Sequence, residues 1–273
     1  MTSPGELDEI RGLARTFEYD RYTTALLMPR AGREGLVLLA AFAGELRRIP
    51  DLVTEPMIGA IRFQWWRDAL EAAAAESEGT GLTGNPLADG LVATIRRHEL
   101  PWGLVHGMID AEETALDATP FHDSGETRQH LVKSEAALFE LSGLVAGARA
   151  PRAVWTEAGI AYGAFRRALA YEERRRRGAQ TFLARDIADP ERDVEGAGRR
   201  WFAVQAREAL DVLHTKRLEM DAATRRILLP LAIIEPSFAR SSRPGVSPAS
   251  AAGGLSALAR ASRLLWAHWR GGF

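Results

Sequence analysis

The sequence predicts an all-α fold, a single helical bundle of about eight to ten helices. Alternating Val, Ile and Thr runs bounded by turn residues, which mark strands, hardly occur. Ala, Leu, Arg and Glu, which favour helices, dominate instead, and apolar residues recur at helical spacing. The 273 residues are 46% hydrophobic and 26% charged. This composition is typical of a globular protein, and the length suits one large domain.

The helices can be placed along the chain from this periodicity. The first strongly periodic segments span residues 32–49 and residues 56–76. One face of the second segment carries Ile58, Ile61, Trp65 and Ala69. Residues 77–86 contain three glycines and a proline and are expected to form a loop. Further helices are expected at 87–99, 102–117, 125–148, 152–176, 191–217 and 221–234, with prolines at or near several of their ends.

The C-terminal part of the chain differs in composition from the rest. Residues 236–254 are rich in Pro, Gly and Ser, which predicts a flexible linker between the helical domain at 1–235 and an amphipathic helix within 255–273. One stripe of that helix carries Leu255, Leu258, Ser262, Leu265 and Trp269, with Trp266 beside it and Arg260, Arg263 and Arg270 elsewhere. The helix either docks back on the bundle or contacts a membrane or a protein partner.

Composition also excludes several classes of function. Lys plus Arg number 35 and Asp plus Glu 36, so no excess of positive charge points to nucleic acid. The chain has no cysteine, which excludes disulfides, thiolate metal sites and cysteine nucleophiles. The six histidines have no metal-binding spacing, and no nucleophile elbow or P-loop occurs. The first 18 residues are acidic and polar, so we expect the protein in the cytoplasm or peripherally on the inner membrane.

Three stretches of the chain carry a resemblance to a known family. They are DRYTTALLMPRAGREGLVLLAAF at 20–42, IRFQWWRDAL at 61–70 and GIAYGAFRRALAYEERRRRGAQTFLARD at 159–186. In order and spacing they resemble the squalene/phytoene synthase family over roughly residues 15–235. The resemblance implies the all-α isoprenoid-synthase fold and, in active members, head-to-head joining of two prenyl diphosphates.

The resemblance also implies two acidic motifs facing one cavity. Aspartates at positions i and i+4 share a helical face, and two such faces hold Mg²⁺ ions that bridge to the diphosphate. Here the first motif falls on Arg47, Arg48 and Asp51, and the second falls on Ala170 and Arg174. Too few carboxylates remain to hold Mg²⁺, so neither a metal nor another cofactor is expected unless the activity persists in altered form.

A subgroup of the family keeps a motif of the RFQWWRDAL type while losing its aspartates. This chain resembles that subgroup, which includes mitochondrial assembly factors for respiratory complex I and bacterial relatives. The leading hypothesis is therefore a non-catalytic assembly or scaffold factor for a membrane respiratory enzyme, in contact with a membrane surface or membrane protein. One alternative is an active prenyl-diphosphate transferase that uses arginines in place of Mg²⁺. Another is a protein that binds a prenyl or lipid ligand without chemistry. A cavity filled by side chains would oppose both alternatives.

Several side chains are candidates for a site, and each has a structural alternative. Candidates for binding a diphosphate or another anion are Arg47, Arg48, Arg62 and Arg174. For Arg47 and Arg48, the alternative is neutralisation by Glu45 and Asp51 on a helix surface. Arg62 and Arg67 would instead form ion pairs with Asp51, Glu55 or Asp68. Arg174–Arg177 would form a solvated helix end. Candidates for the cavity wall are Phe42, Trp65, Trp66 and Tyr162, with ordinary core packing as the alternative for the tryptophans.

Overall fold

Helices make up the architecture of the protein, which we describe from a computed structural model. The structure describes residues 4–75, 83–189, 193, 196–241 and 254–273. Within these ranges no residue belongs to a strand, and a single isolated bridge joins Phe121 to Ala184. The all-α prediction is confirmed. The helices are α1 (Pro4–Phe17), α2 (Tyr19–Leu27), α3 (Arg30–Leu52), α4 (Pro56–Ala75), α5 (Pro86–Arg97), α6 (Trp102–Glu113), α7 (Ser124–Leu131), α8 (Ala137–Val145), α9 (Arg152–Arg176), α10 (Ala197–Lys216), α11 (Ala222–Ile227), α12 (Ile234–Ser241) and α13 (Ala257–Trp269).

The helices α3 and α9 form the centre of the bundle. An unbroken apolar run from Gly35 to Gly44 is buried in α3, which packs against α1, α2, α5 and α8. Residues on most sides of α9 are buried, and α10 lies along it. The buried run of α3 is apolar around its whole circumference, as expected for a core helix, and α9 is central because most of its sides are covered by neighbouring elements.

A π-helical turn, Val132–Ala136, joins α7 to α8 and lies against α9. We call it the π segment. A side chain on Gly159 of α9 would collide with the backbone of Ala136, because its Cβ would lie only 2.3 Å from the Ala136 nitrogen. Glycine at this position therefore lets the two backbones approach closely. The close approach brings Glu135 of the π segment to the inner face of α9.

The N-terminal helices α1 and α2 were not predicted from the sequence. Among the α1 residues whose burial is described, Ile10 and Ala14 are buried and Leu7 and Leu13 are partly buried. These residues recur at helical spacing, so the sequence does contain the signal for α1, in a segment considered only as acidic and polar. Between the two helices, Glu18 is almost completely buried.

The predictions for residues 221–241 need correction. Helix α12 covers residues 234–241, so the predicted linker is wrong for residues 236–241, while 242–253 lie outside the described residues. Pro236 stands in the first turn of α12, where its missing N–H is not needed, and Phe238 anchors the helix in the core. The predicted continuous helix at 221–234 is divided into α11, a 3₁₀ turn at Leu229–Ile233 and the start of α12. Of the predicted loop at 77–86, residues 77–82 lie outside the described residues.

The face of α4 that carries Ile58, Ile61 and Trp65 is turned to solvent. The buried face of this helix carries Gly59, Phe63, Trp66, Leu70 and Ala73. The close packing of Leu116 on Gly59 fixes this orientation, since a Cβ at that glycine would lie 2.3 Å from Leu116 Cδ2. Helix α4 thus presents an exposed apolar row, which we call the α4 stripe: Met57, Ile58, Ile61 and Trp65.

Candidate functional site

A cluster of buried ion pairs occupies the space between α3, α9 and the π segment. Its members are three carboxylates, Glu18, Glu112 and Glu135, and three guanidinium groups, Arg21, Arg47 and Arg166. They come from the α1–α2 junction, α2, α3, α6, the π segment and α9. We call this set the buried charge cluster. Because its charges balance three against three, the arginines neutralise the carboxylates inside the protein.

Arg47 is the central cation of the buried charge cluster. Its guanidinium pairs with Glu18, with Glu112 at 3.1 Å and with Glu135 at 2.9 Å. Only 9% of its side chain is exposed. The expectation that Glu45 and Asp51 neutralise Arg47 on a helix surface is therefore wrong. That alternative holds for the next residue, since Arg48 Nε pairs with Glu45 at 2.5 Å.

Glu18 and Glu135 each form ion pairs with more than one arginine. Arg21 pairs with Glu18 at 2.8 Å and with Glu135 at 2.7 Å, and Arg166 also pairs with Glu18. Burial raises the pKa of Glu18, but the arginines around it outweigh burial and bring this pKa down to about 2. The pKa of Glu135 is lowered for the same reason. Both side chains are therefore ionised in the folded protein.

Aromatic rings enclose two of the arginines in the buried charge cluster. The Cζ of Arg21 lies 4.7 Å from the ring centre of Phe139 and 4.6 Å from that of Tyr162, and the Cζ of Arg166 lies 5.9 Å from Tyr162. The electron-rich ring faces attract these cations. Burial and the nearby Asp20 raise the pKa of Tyr162, so its hydroxyl keeps its proton and donates to Asp20 Oδ2 at 2.7 Å.

Asp20 connects this region to the C-terminal helix. Its side chain is fully buried and accepts hydrogen bonds from Arg260 of α13, one of them from Nε at 2.7 Å. A second contact, from the Tyr19 hydroxyl to the carbonyl of Ala257 at 3.1 Å, lies beside it. The N-terminal and C-terminal helices are therefore joined at one edge of the buried charge cluster.

The second predicted acidic motif lies at two different places in the structure. Ala170 lines a cavity, described below. Arg174 turns inward, donates from Nε to the carbonyl of Gln180 at 2.5 Å and lies 5.1 Å from the ring of Phe182. The solvated helix end predicted for Arg174–Arg177 is correct only for the last three residues, which pair with Glu172 and Glu173.

A buried arginine–histidine pair lies next to Arg174. Arg167 donates from Nη2 to Nε2 of His130 at 2.8 Å, and its Cζ lies 3.9 Å from the ring centre of Phe182. Burial and the neighbouring cation Arg167 lower the pKa of His130 well below 6.5. His130 is therefore neutral, as it must be to accept this hydrogen bond.

A cavity of about 440 Å³ opens beside the buried charge cluster, between α2, α9 and residues 254–255. Its charged lining residues are Glu18, Asp20, Arg166 and Arg260, and its apolar lining residues include Phe165, Leu169, Ala170, Ile233 and Leu255. The two carboxylates and two guanidinium groups are paired with each other. The cavity lining therefore combines balanced charges with an apolar surface.

The remaining predicted site residues lie outside the buried charge cluster. Asp51 and Arg62 are exposed. Arg67 pairs with Asp110 at 2.8 Å and with Glu113, not with the predicted Asp51, Glu55 or Asp68. These positions bring no carboxylate to the buried charge cluster.

The four predicted wall residues have different environments. Phe42 and Trp66 are buried and meet edge to face, with ring centres 5.1 Å apart, so they belong to the solid core. Tyr162 lines the cavity. Trp65 is 40% exposed and lies on the outer face of α4, so its assignment to a cavity wall is wrong.

Sequence reasoning missed the acidic partners in the cluster. Glu18, Glu112 and Glu135 were not singled out; Glu18 stands between two aromatic residues, Phe17 and Tyr19, whereas the local sequence around Glu112 and Glu135 gives no such signal. Within the described ranges, no group of three or more His, Asp or Glu side chains has an arrangement that could hold a metal ion. Among the helices in those ranges, none combines the length and apolarity needed to cross a bilayer.

Comparison with solved structures defines the class of fold. A dehydrosqualene synthase crystal structure superimposes with a TM-score of 0.76 at 10% identity, covering 96% of this chain and 95% of that one. Squalene synthase HpnC from Alicyclobacillus acidocaldarius gives a TM-score of 0.67 at 15% identity, covering 98% and 96%. The fold is therefore that of the isoprenoid synthases.

The sequence comparisons define the family. The squalene/phytoene synthase family model matches residues 14–236, so the chain belongs to this family. Curated relatives carry the name NADH dehydrogenase (ubiquinone) complex I, assembly factor 6. The relative from Rattus norvegicus is 29% identical over 179 residues, covering 64% of this chain, and the one from Homo sapiens is 27% identical over 130 residues, covering 48%. The chain spans 52% and 38% of the lengths of these two relatives.

Proposed function

We propose that this protein is a non-catalytic member of the squalene/phytoene synthase family that acts as an assembly or scaffold factor for a membrane respiratory enzyme of the complex I type. The observation that carries the proposal is the buried charge cluster. An arginine of the first motif position, Arg47, neutralises three buried carboxylates there. The names of the curated relatives support the choice of respiratory enzyme.

The donors in the buried charge cluster do not fit Mg²⁺. This ion needs carboxylate oxygens that are free to coordinate it, together with phosphate oxygens. Glu18 and Glu135 already bind two or more arginines each. A divalent cation about 4 Å from one of these guanidinium groups would be repelled by on the order of several kcal/mol at an effective dielectric constant of ~20. We therefore expect no metal-dependent ionisation of a diphosphate here.

A scaffold factor also needs a surface for its partner, and the α4 stripe is a candidate. Its four apolar side chains share one exposed helical face. Exposed apolar patches on soluble domains often mark contact sites. The stripe lies in and just before the RFQWWRDAL motif, on which the resemblance to the aspartate-poor subgroup rests. We assign the contact with a membrane-protein partner to this face.

A second function is favoured by the cavity of about 440 Å³. Small-molecule pockets in proteins typically measure about 300–1,000 Å³ and are mostly apolar with a few polar groups. Because the charged groups of its lining are already paired with each other, the cavity suits a neutral polar head better than a diphosphate. The second candidate is therefore a carrier of a prenyl or lipid chain with an uncharged polar head.

Titration calorimetry with two probes tests both functions. Farnesyl diphosphate is titrated with and without Mg²⁺, and farnesol is titrated alone. We expect no Mg²⁺-dependent heat and no squalene or phytoene from prenyl diphosphates. Mg²⁺-dependent binding that disappears in Asp51→Asn, or formation of either product, would overturn the non-catalytic proposal.

The farnesol titration tests the carrier function separately. Ala170→Leu fills part of the cavity, so it should weaken farnesol binding if the cavity holds the chain. Ala72→Leu, on an exposed part of α4, adds the same atoms elsewhere and should leave binding unchanged. If farnesol gives no heat with the unaltered protein, the carrier function is wrong and the scaffold function stands alone.

A further inference from the structure

Helix α13 has one face that packs against the protein. Leu264 and Ala267 are buried against the 3₁₀ turn at Leu229–Ile233 and α2. Arg260 on the same side binds Asp20. Of the two interpretations of this helix from the sequence, docking on the bundle therefore describes one face of α13.

The other face of α13 is apolar and exposed. Successive positions three, four and seven residues apart lie on one side of a helix, so these side chains form one row. The exposed fractions are 78% for Leu258, 52% for Leu265, 44% for Trp266 and 83% for Trp269. We call this row the α13 stripe. In the described part of the chain, no element covers these four side chains enough to bury them.

Two arginines border the α13 stripe on one side. The Cζ atoms of Arg263 and Arg270 each lie 4.7 Å from the ring centre of Trp266. No carboxylate in the described residues forms an ion pair with either arginine. Residues 254–273 contain no Asp or Glu at all. The exposed face of α13 is therefore apolar, and the charged side chains that this segment places beside it are cations.

We propose that the α13 stripe binds the surface of a bilayer that contains anionic lipid. Tryptophan is enriched at the level of lipid headgroups, where its ring is buried and its N–H stays hydrated. Exposed arginines at the rim meet the negative headgroups, and the leucines enter the acyl boundary. A folded protein partner would require matched acidic groups around an apolar centre, whereas an anionic bilayer supplies both features across its whole surface.

The docking of α13 on the bundle also limits how deeply this helix can enter a bilayer. Arg260 and the buried Leu264 hold α13 on the bundle, so only one face is free to enter lipid. Contact is therefore peripheral and reversible, and it weakens with salt because the arginines act through screened charge. This surface is distinct from the buried charge cluster and from the α4 stripe, so it goes beyond the proposed function.

Sedimentation with vesicles tests the proposal with the full chain. Vesicles of phosphatidylcholine with phosphatidylglycerol are compared with vesicles of phosphatidylcholine alone, at low and at high salt. The protein should sediment with the anionic vesicles at low salt only. Arg263→Gln with Arg270→Gln should reduce the partition coefficient roughly 25-fold, about fivefold for each arginine near the surface. Leu265→Ser with Trp269→Ser should reduce it by at least about tenfold.

Matched control variants test whether vesicle binding depends on the α13 stripe or on exposed charges and apolar side chains in general. Arg128→Gln with Arg152→Gln removes the same charge from other exposed positions, and Met57→Ser with Ile61→Ser removes apolar groups of similar exposure from the α4 stripe. Both should bind anionic vesicles almost as well as the unaltered protein. Circular dichroism should show the same helix content and melting in every variant.

Three results would overturn the proposal. One is a protein that stays in the supernatant with anionic vesicles at low salt. Another is loss of binding in the α4 variant but not in the α13 variants. The third is a change of oligomeric state in the α13 variants, measured by light scattering, without any binding to vesicles, which would assign the stripe to a second copy of the chain. None of these results bears on Mg²⁺ or diphosphate binding, so the proposed function is tested separately.

Discussion

Arg47 and Arg48 are adjacent in the sequence, yet the structure places them in opposite environments. Arg47 lies in the interior among three carboxylates, whereas Arg48 pairs with one carboxylate of its own helix. The sequence identified both as cations at positions where the family resemblance implies acids. It did not reveal the partners of Arg47, because Glu18 and Glu112 are 29 and 65 residues away. Only the packing of α3 against other elements brings them together.

Replacing Arg47 should destabilise the protein strongly. Arg47→Met keeps the apolar stem but leaves Glu18, Glu112 and Glu135 short of a countercharge, and breaking a buried ion pair from one side typically costs about 3–5 kcal/mol. Arg48→Met is the matched control, since a partly exposed pair contributes about 0–1 kcal/mol. Urea unfolding of both variants gives the two free energies. Equal losses would show that the buried charge cluster does not hold the helices together.

At the scale of elements, helical periodicity located most of the helices, but it did not indicate which face of a helix is buried. Helix α4 has two apolar faces, one with Trp65 and one with Trp66, and neighbouring positions on a helix always point in different directions. The packing of Leu116 on Gly59 decides which face is buried, and this contact is not visible in the local sequence. For the same reason the π segment was included in a predicted uninterrupted helix at 125–148. This turn packs against α9, a contact that the local sequence does not show.

The contact between α9 and the π segment gives an element-scale prediction. Gly159→Ala places a methyl group 2.3–2.4 Å from the backbone of Ala136, so the helices must separate. Overpacking of this kind costs about 1–3 kcal/mol. Gly12→Ala in the exposed part of α1 meets nothing within 4 Å and should stabilise the helix by about 0.5–1 kcal/mol. Thermal unfolding of the two variants should therefore shift in opposite directions, and a shift in the same direction would contradict the assigned contact.

At the scale of the whole molecule, the fold and the family were predictable because they depend on features spread over the chain. Helical periodicity recurs in most segments, and three separate stretches carry the family resemblance. The interior of the site was less predictable. The carboxylates in the buried charge cluster, Glu18, Glu112 and Glu135, come from three separate elements, and none stands in a motif. The sequence showed that Ala170 and Arg174 are not acids, and the structure shows that Ala170 lines the cavity while Arg174 donates to the carbonyl of Gln180.

The buried ionisable groups predict how stability depends on pH. The pKa of His130 lies below 6.5 in the folded protein, so the unfolded chain takes up a proton first and stability falls as the pH decreases through 6.5. The pKa of Glu18 is lowered from 4.5 to about 2, so its contribution is present above 4.5 and is lost between 4.5 and 2. Both groups act in the same direction. The free energy of unfolding, measured in urea, should therefore decline in two stages on acidification.

His130→Gln cannot take up a proton at this position, so it should flatten the stage that begins near pH 6.5 and leave the stage below 4.5 in place. A first stage of the same size in this variant would mean that other groups cause it, and that the pair of His130 with Arg167 does not bury a neutral imidazole.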